Sequence, residues 1–250
     1  MTANPLFWRE AGAARFAAAA LVAFGLGLAT PARAVPVDIT LVLAVDCSRS
    51  IDDDEFALQI QGYASALVHP SVLKAIQGGQ RRAIAVTYVQ WAGPLLQAQV
   101  LPWTLISDRE SAEEFSERMV ATPRNFHGGG TSLSGIIDYA RPMFAKSGFE
   151  GERRVVDISG DGINNSGRQP QSARDEAVAA GIVINGLPIL TEVPWLDDYF
   201  REYVIGGPGA FVIVATNFDA FAAAIRNKLI REIAGEDAWR AIADAGPALP

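Results

Sequence analysis

The stretch Asp38–Ser50, DITLVLAVDCSRS, decides the fold of this 250-residue chain. Its first part, Asp38–Val45, is a nearly continuous run of β-branched and leucine side chains, which is typical of a strand buried on both faces. Asp46, Ser48 and Ser50 follow at alternate positions, so a tight loop can turn their side-chain oxygens towards one point. Because the carboxyl ends of parallel strands face the crevice where ligands bind, the stretch predicts an α/β protein with an oxygen-rich site.

Strands and helices alternate along the rest of the chain. Apolar runs predict five further strands over residues 82–91, 97–106, 154–159, 181–187 and 210–215. Helical spacing and capping residues predict helices over residues 53–67, 108–120, 132–146, 172–180, 196–204 and 217–233. The link between strands 2 and 3 is short, so these two strands are expected to form an antiparallel hairpin. The pattern predicts a three-layer α-β-α fold, doubly wound around a mainly parallel six-stranded sheet.

The start of the chain carries the pattern of a secretory signal peptide. Arg9 and Arg15 precede an uncharged apolar run, Phe16–Ala29, and the small-residue pattern Ala32-Arg33-Ala34 follows it. The apolar run is shorter than the roughly 20 residues that span a bilayer. We therefore expect removal of residues 1–34, no transmembrane segment after this cleavage, and an exported protein that is periplasmic or secreted.

The composition is that of an ordinary globular chain, with 50% apolar and 20% charged residues. No repeat or linker divides it, so residues 35–234 are predicted to form one domain and residues 235–250 a tail that frays. The net charge is −7 and the basic residues do not gather into a stripe, which argues against a nucleic-acid partner. Cys47 is the single cysteine, which excludes an intrachain disulfide.

Two later segments place further oxygen side chains beside turns. The segment Gly128-Gly129-Gly130-Thr131-Ser132 opens a predicted helix, where its glycines permit a tight turn and its hydroxyls can cap the helix. The fourth predicted strand ends in Ser159-Gly160-Asp161-Gly162. Each segment alone is an ordinary cap or turn. Their combination with the D-x-S-x-S sequence after the first strand is what indicates a site.

This combination resembles the metal-ion-dependent adhesion site (MIDAS) of von Willebrand factor type A (VWA) domains, including an uncharacterised group of exported bacterial members. The resemblance covers nearly all of residues 38–233. It implies a Rossmann-like sheet of order 3-2-1-4-5-6 with strand 3 antiparallel, so that strands 1 and 4 are neighbours. It also implies that the two serines bind a metal directly, and that the other ligands bind directly or through water. The implied metal ligands are Asp46, Ser48, Ser50, Thr131 and Asp161.

The ligand types indicate which metal and which partner to expect. All five side chains offer oxygen, which suits Mg²⁺, with Mn²⁺ or Ca²⁺ as alternatives. Two of the five are charged, so the metal is neutralised but still attracts a further ligand. The expected partner is a protein that presents a carboxylate to the metal. The expected rim of this contact is formed by Arg49, His127 and Asn164.

Enzymatic readings of the same crevice find little support in the sequence. There is no G-x-S-x-G and no P-loop, and His69 and His127 are the only histidines. We therefore predict a binding module and not an enzyme. The alternatives are a metal-dependent hydrolase or phosphotransferase, and a metal-free VWA-type scaffold. Asp157, a carboxylate within an apolar strand, is interpreted as a buried residue held by hydrogen bonds.

Overall fold

The structure is a computed structural model that describes residues 33–235 and residue 239. Most of the predicted signal peptide and of the predicted tail therefore lies outside the described residues. Within the described part, no helix combines the length and the apolar character that a membrane crossing requires.

The described residues contain one five-stranded sheet of order β3-β2-β1-β4-β5. Strand β1 pairs in parallel with β2 and with β4, β4 pairs in parallel with β5, and β2 pairs antiparallel with β3. The predicted neighbours and the predicted hairpin are therefore confirmed for these strands. Their bounds are Val35–Asp46 (β1), Ile84–Trp91 (β2), Gln97–Ile106 (β3), Phe149–Gly160 (β4) and Val183–Pro188 (β5).

The prediction of a sixth strand over residues 210–215 is wrong. This segment forms only isolated bridges, to β5 and to Ile189, the residue after β5. The chain has just left a turn in which Gly207 and Gly209 have φ values of 98° and 73°. The amide of Phe211 then donates to the side-chain Oδ1 of Asn185 at 2.9 Å. Hydrogen bonding to a side chain interrupts the regular ladder that a strand requires.

Seven α-helices occur within the described residues, and two of them continue into a short helical segment of another type. A 3₁₀-helix over Arg141–Lys146 follows α4, and a π-helical turn over Phe200–Val204 follows α6. The α-helices are α1 (Asp53–Leu67), α2 (Pro70–Gly78), α3 (Arg109–Ala121), α4 (Leu133–Ala140), α5 (Pro170–Ala179), α6 (Leu196–Tyr199) and α7 (Phe221–Ala234).

Local chemistry explains where the helices differ from the prediction. Helix α2 was not predicted; it begins at Pro70, and the Nδ1 atom of His69 accepts a hydrogen bond from the backbone amide of Ser71 at 3.2 Å. The predicted helix 132–146 is α-helical only to Ala140, because Pro142 lacks the amide that an α-helix needs there.

The two faces of the sheet carry separate hydrophobic clusters, which confirms the three-layer architecture. Helices α1, α2, α3 and α7 supply one cluster, and α4, α5 and α6 supply the other. Strand β1 contributes to both, since Leu41 and Leu43 face the first cluster while Val42 and Ala44 face the second. All four are fully buried, as the apolar run predicted.

Candidate metal centre

The carboxyl ends of β1 and β4 lie side by side and carry the two aspartates of the predicted site. Asp46 is the last residue of β1, and Asp161 directly follows Gly160, the last residue of β4. Both side chains are fully buried. The two strands approach so closely that a Cβ atom on Gly160 would lie 2.7 Å from Asp46 Oδ2. The glycine therefore makes room for the carboxylate.

A chain of hydrogen bonds joins four of the five predicted ligands. The backbone amide of Ser48 donates to Asp46 Oδ1 at 2.7 Å. The hydroxyl oxygens of Ser48 and Ser50 lie 3.2 Å apart, and the Ser50 hydroxyl donates to Asp161 Oδ1 at 2.7 Å. Ser48 is buried and Ser50 is exposed, so the cluster opens to solvent on the Ser50 side.

Thr131, the fifth predicted ligand, lies against the loop that follows β4. It is 4% exposed, and a Cβ atom on Gly162 would lie 3.3 Å from its hydroxyl oxygen. The side-chain Oδ1 of Asn165 accepts a hydrogen bond from the backbone amide of Thr131 at 2.8 Å. The backbone amide of Asn165 donates to the Thr131 carbonyl at 2.9 Å. Asn165, which sequence reasoning missed, thus joins the loop before α4 to the loop after β4.

The electrostatics of the two aspartates call for a cation. Asp46 Oδ2 and Asp161 Oδ2 are buried and accept no hydrogen bond from the described residues. Burial and the nearby charge of Asp161 raise the pKa of Asp46 to about 8. Burial is the main cause that raises the pKa of Asp161 to about 6, and the charges of Glu55 and Glu192 add to it. Two buried carboxylates with free oxygens and adjacent hydroxyls are a donor set for a hard divalent cation.

The site mixes carboxylates with hydroxyls. Across the described part of the chain, His, Cys, Asp and Glu side chains form no group of three or more that is arranged to hold a metal. Any metal here therefore depends on the oxygens of Ser48, Ser50 and Thr131, which disfavours metals that prefer nitrogen or sulfur.

Arg124 fixes the conformation of the loop after β1, residues 47–51, which is the first loop of the site; sequence reasoning missed this role. Its Nη2 atom donates to the carbonyl oxygens of Cys47, Ser48 and Ile51 at 3.2, 3.3 and 2.7 Å. Its Nη1 atom lies 2.8 Å from Asp53 Oδ1, and the side chain is 8% exposed. No local pattern around Arg124 signals this role, because Asp53 and the three carbonyl groups that it contacts here are more than 70 residues away in the sequence.

The three predicted rim residues differ in their surroundings. Arg49 is exposed. The His127 side chain is 66% exposed, and its Nδ1 atom lies 3.6 Å from Asp53 Oδ1. Asn164 is half-buried, and its side-chain amide stabilises the loop. Its Oδ1 atom accepts a hydrogen bond from the backbone amide of Ser134 at 3.2 Å, and its Nδ2 atom donates to the carbonyl oxygen of Arg168 at 3.2 Å. Contact between these residues and a partner stays a prediction.

The comparison with protein families assigns the chain to a family. Residues 36–237 match the family model described as "Protein of unknown function (DUF1194)". The chain belongs to the DUF1194 family. This is a VWA-like family, so the resemblance recognised from the sequence is confirmed. A search of curated proteins found no match to this DUF1194 protein.

Solved structures share the fold of this DUF1194 protein at low sequence identity. Proximal thread matrix protein 1 from the mussel byssus is 16% identical with a TM-score of 0.58, over 80% of this chain and 49% of that one. A VWA protein from Catenulispora acidiphila is 15% identical with a TM-score of 0.55, over 80% of this chain and 44% of that one. The pilus adhesin SpaC from Lactobacillus rhamnosus GG is 14% identical with a TM-score of 0.55, over 80% of this chain and 31% of that one. The DUF1194 chain thus spans half or less of these proteins.

A further structure of the mussel protein is described as having a zinc-occupied MIDAS motif. It is 17% identical to this chain with a TM-score of 0.54. At this identity the likeness shows the VWA fold alone.

Replacing Gly160 with alanine is expected to disrupt the site. The added Cβ would lie 2.7 Å from Asp46 Oδ2 and 3.3 Å from the Trp91 ring. Since both neighbours are fully buried, we expect a loss of about 1–3 kcal/mol in unfolding free energy, measured by urea denaturation, and weaker Mn²⁺ binding. Gly78→Ala is the matched control, because nothing lies within 4 Å of its added Cβ. Equal behaviour of the two variants would contradict the tight fit at Gly160.

Proposed function

We propose that this DUF1194 protein is a protein-binding module that docks a carboxylate of its partner through a Mg²⁺ ion. The observation that carries the proposal is the pair of buried aspartates, each with an oxygen that accepts no hydrogen bond from the described residues. The VWA-like fold supports a role in protein interaction in general. The proposed metal ligands are Asp46, Ser48, Ser50, Thr131 and Asp161.

The oxygen-only ligand set favours Mg²⁺, and Mn²⁺ and Ca²⁺ are accepted as alternatives. The zinc-occupied motif of the mussel protein supports a divalent ion at this place in the fold. The two aspartates balance the charge of such an ion, which when bound supplies a Lewis-acidic point for an incoming carboxylate. Ser50 lies on the exposed side of the cluster, so the proposed approach of the partner is from that side.

The described residues near the site do not supply the groups of a hydrolase. His69 accepts the backbone amide of Ser71 at the start of α2. His127 is mainly exposed, and the carboxylate nearest to it is Asp53. Burial raises the pKa of the Cys47 thiol far above its usual range, so this thiol is not a ready nucleophile. These observations favour binding over turnover in the proposed function.

Export is part of the proposal. The pattern of residues 1–34 is that of a signal peptide, and one structural neighbour is a pilus adhesin, which is consistent with an exported or extracellular setting. We propose a periplasmic or secreted protein whose partner meets it there.

A peptide array tests the proposed partner chemistry. Peptides from exported proteins are printed in pairs, in which one member carries Asp or Glu and the other carries Asn or Gln at the same position. We expect binding to acidic members in Mg²⁺, and its loss with EDTA, with the amide members and with Ser48→Ala. Ser65→Ala is the control variant, because the Ser65 hydroxyl bonds only to the Gly62 carbonyl of its own helix. Equal retention of acidic and amide members would overturn carboxylate docking.

A further inference from the structure

A buried cluster of charged side chains joins α7 to β4, away from the proposed metal ligands. The Nζ atom of Lys228 lies 2.5 Å from Asp157 Oδ1 and 2.5 Å from Glu232 Oε1. All three side chains have no solvent exposure. Removal of three ionisable groups from water is costly, even when they contact one another. Asp157 is thus held by a close contact with Lys228, where the sequence predicted hydrogen bonds.

The two carboxyl groups of the cluster have different surroundings. Glu232 Oε1 accepts hydrogen bonds from Lys228 Nζ and from Asn185 Nδ2, at 2.5 and 3.1 Å. Both oxygens of Asp157 lack a contact with hydrogen-bond geometry, although Nζ is so close. Burial and the charge of Glu232 raise the pKa of Asp157 above its usual range. The raised pKa favours the protonated form of Asp157, and Glu232 Oε1 is the carboxyl oxygen that accepts the hydrogen bond from Lys228 Nζ.

The contact between Lys228 and Asp157 brings the amine nitrogen near the carboxyl carbon. Since a C=O bond is about 1.23 Å long, an Nζ–Oδ1 distance of 2.5 Å places Nζ no more than about 3.7 Å from Cγ of Asp157. Reacting atoms in a near-attack arrangement lie about 3–3.5 Å apart. The fold has thus already brought the amino group of Lys228 and two carboxyl groups together in a site shielded from solvent.

Neighbouring groups hold these atoms in place. Arg153 donates to the backbone carbonyl oxygens of Glu232 and Ile233 at 2.5 and 2.9 Å, which fixes the last turn of α7 against β4. The ring centroid of Phe211 lies 5.5 Å from Lys228 Nζ. A cavity of about 260 Å³, lined in part by Asn185, Phe211 and Glu232, adjoins the cluster.

We propose that Lys228 and Asp157 condense into an intramolecular isopeptide bond, with Glu232 as the group that carries the proton. Glu232 takes a proton from the ammonium of Lys228, and the freed amine forms a bond from Nζ to Cγ of Asp157. The bond from Cγ to one oxygen breaks, and that oxygen leaves as water with the proton that Glu232 returns. The nitrogen gives up a second proton to Glu232, which ends neutral.

The reaction removes all charge from the cluster. It begins with one ammonium, one carboxylate and one neutral acid, and it ends with an amide, a neutral acid and water, so atoms and charge balance. The reaction is favourable because it removes the free-energy cost of burying two ions. Folding has already positioned the reacting groups. The product ties α7 covalently to a central strand of the sheet. This inference does not depend on the proposed metal or partner.

The mass of the intact wild-type protein tests the proposal. We expect the folded protein to be lighter than its sequence by one water molecule. Lys228→Arg and Glu232→Gln are expected to restore the full mass, because the first removes the nucleophile and the second removes the proton carrier. A wild-type protein of full mass would overturn the proposal, whether or not the variants fold.

A tryptic digest locates the lost water. Trypsin does not cleave after an acylated lysine, so we expect a branched peptide in which residues 155–168 are joined to residues 227–231. Cyclisation at Asp161-Gly162 would also lose one water, but it would leave the first of these peptides linear. Recovery of linear peptides only, with cleavage after Lys228, would contradict the bond.

Discussion

Replacing Asp46 with asparagine is expected to abolish Mg²⁺ binding while leaving the metal-free protein folded. Asparagine keeps the volume of the side chain, and its amide oxygen can still accept the Ser48 amide. It removes one of two buried, mutually repelling carboxylates, so the metal-free form is expected to be at least as stable as wild type. Loss of a group outside the ligand shell already costs about 10–100-fold in metal affinity, so loss of a ligand charge is expected to exceed about 100-fold.

Calorimetry and thermal unfolding, each with and without Mg²⁺, measure this effect. Mg²⁺ should raise the unfolding temperature of wild type, because a ligand that binds only the folded state stabilises it. It should leave Asp46→Asn unchanged. Asp175→Asn is the control, since this side chain is 68% exposed on α5 and pairs with Arg174. Equal Mg²⁺ stabilisation of both variants would refute the role of Asp46.

Replacing Arg124 with alanine is expected to cost about 2–4 kcal/mol in unfolding free energy and about tenfold or more in metal affinity. The cost arises because the carbonyl oxygens of Cys47, Ser48 and Ile51 lose their shared donor. Arg124→Lys should also destabilise, since an ammonium cannot span three carbonyls as a guanidinium does. Urea denaturation and Mn²⁺ calorimetry measure the two effects.

Arg109→Ala is the control for Arg124. The Arg109 side chain is 56% exposed on α3, and its ion pair with Glu113 spans one helical turn. Exposed pairs of this kind contribute little, so we expect a change within about 0.5 kcal/mol. A similar small change in Arg124→Ala would show that the loop keeps its shape without the guanidinium.

The sheet was readable from the sequence because its strands are continuous apolar runs with polar oxygens at their ends. Asp46 ends β1, and Ser48 and Ser50 follow it in the next loop, so their proximity needs only one loop. Asp161 joins them because β1 and β4 are neighbours. The apolar run at residues 210–215 misled for the opposite reason: its local pattern fits a strand, but its pairing with β5 is limited to isolated bridges.

The remaining features depend on contacts between distant segments. Arg124 looks like any loop arginine until the fold brings it to the first loop. Lys228 and Glu232 lie on one face of α7, where a spacing of four residues usually marks an exposed ion pair. Only the packing of α7 against β4 shows that they are buried around Asp157.

Anomalous diffraction from crystals grown with Mn²⁺ locates the proposed metal ion. We expect one strong anomalous peak within about 2–2.5 Å of the Ser48 and Ser50 hydroxyl oxygens, bounded by Asp46, Thr131 and Asp161. No peak at this place under saturating Mn²⁺, or a peak held by other residues, would contradict it.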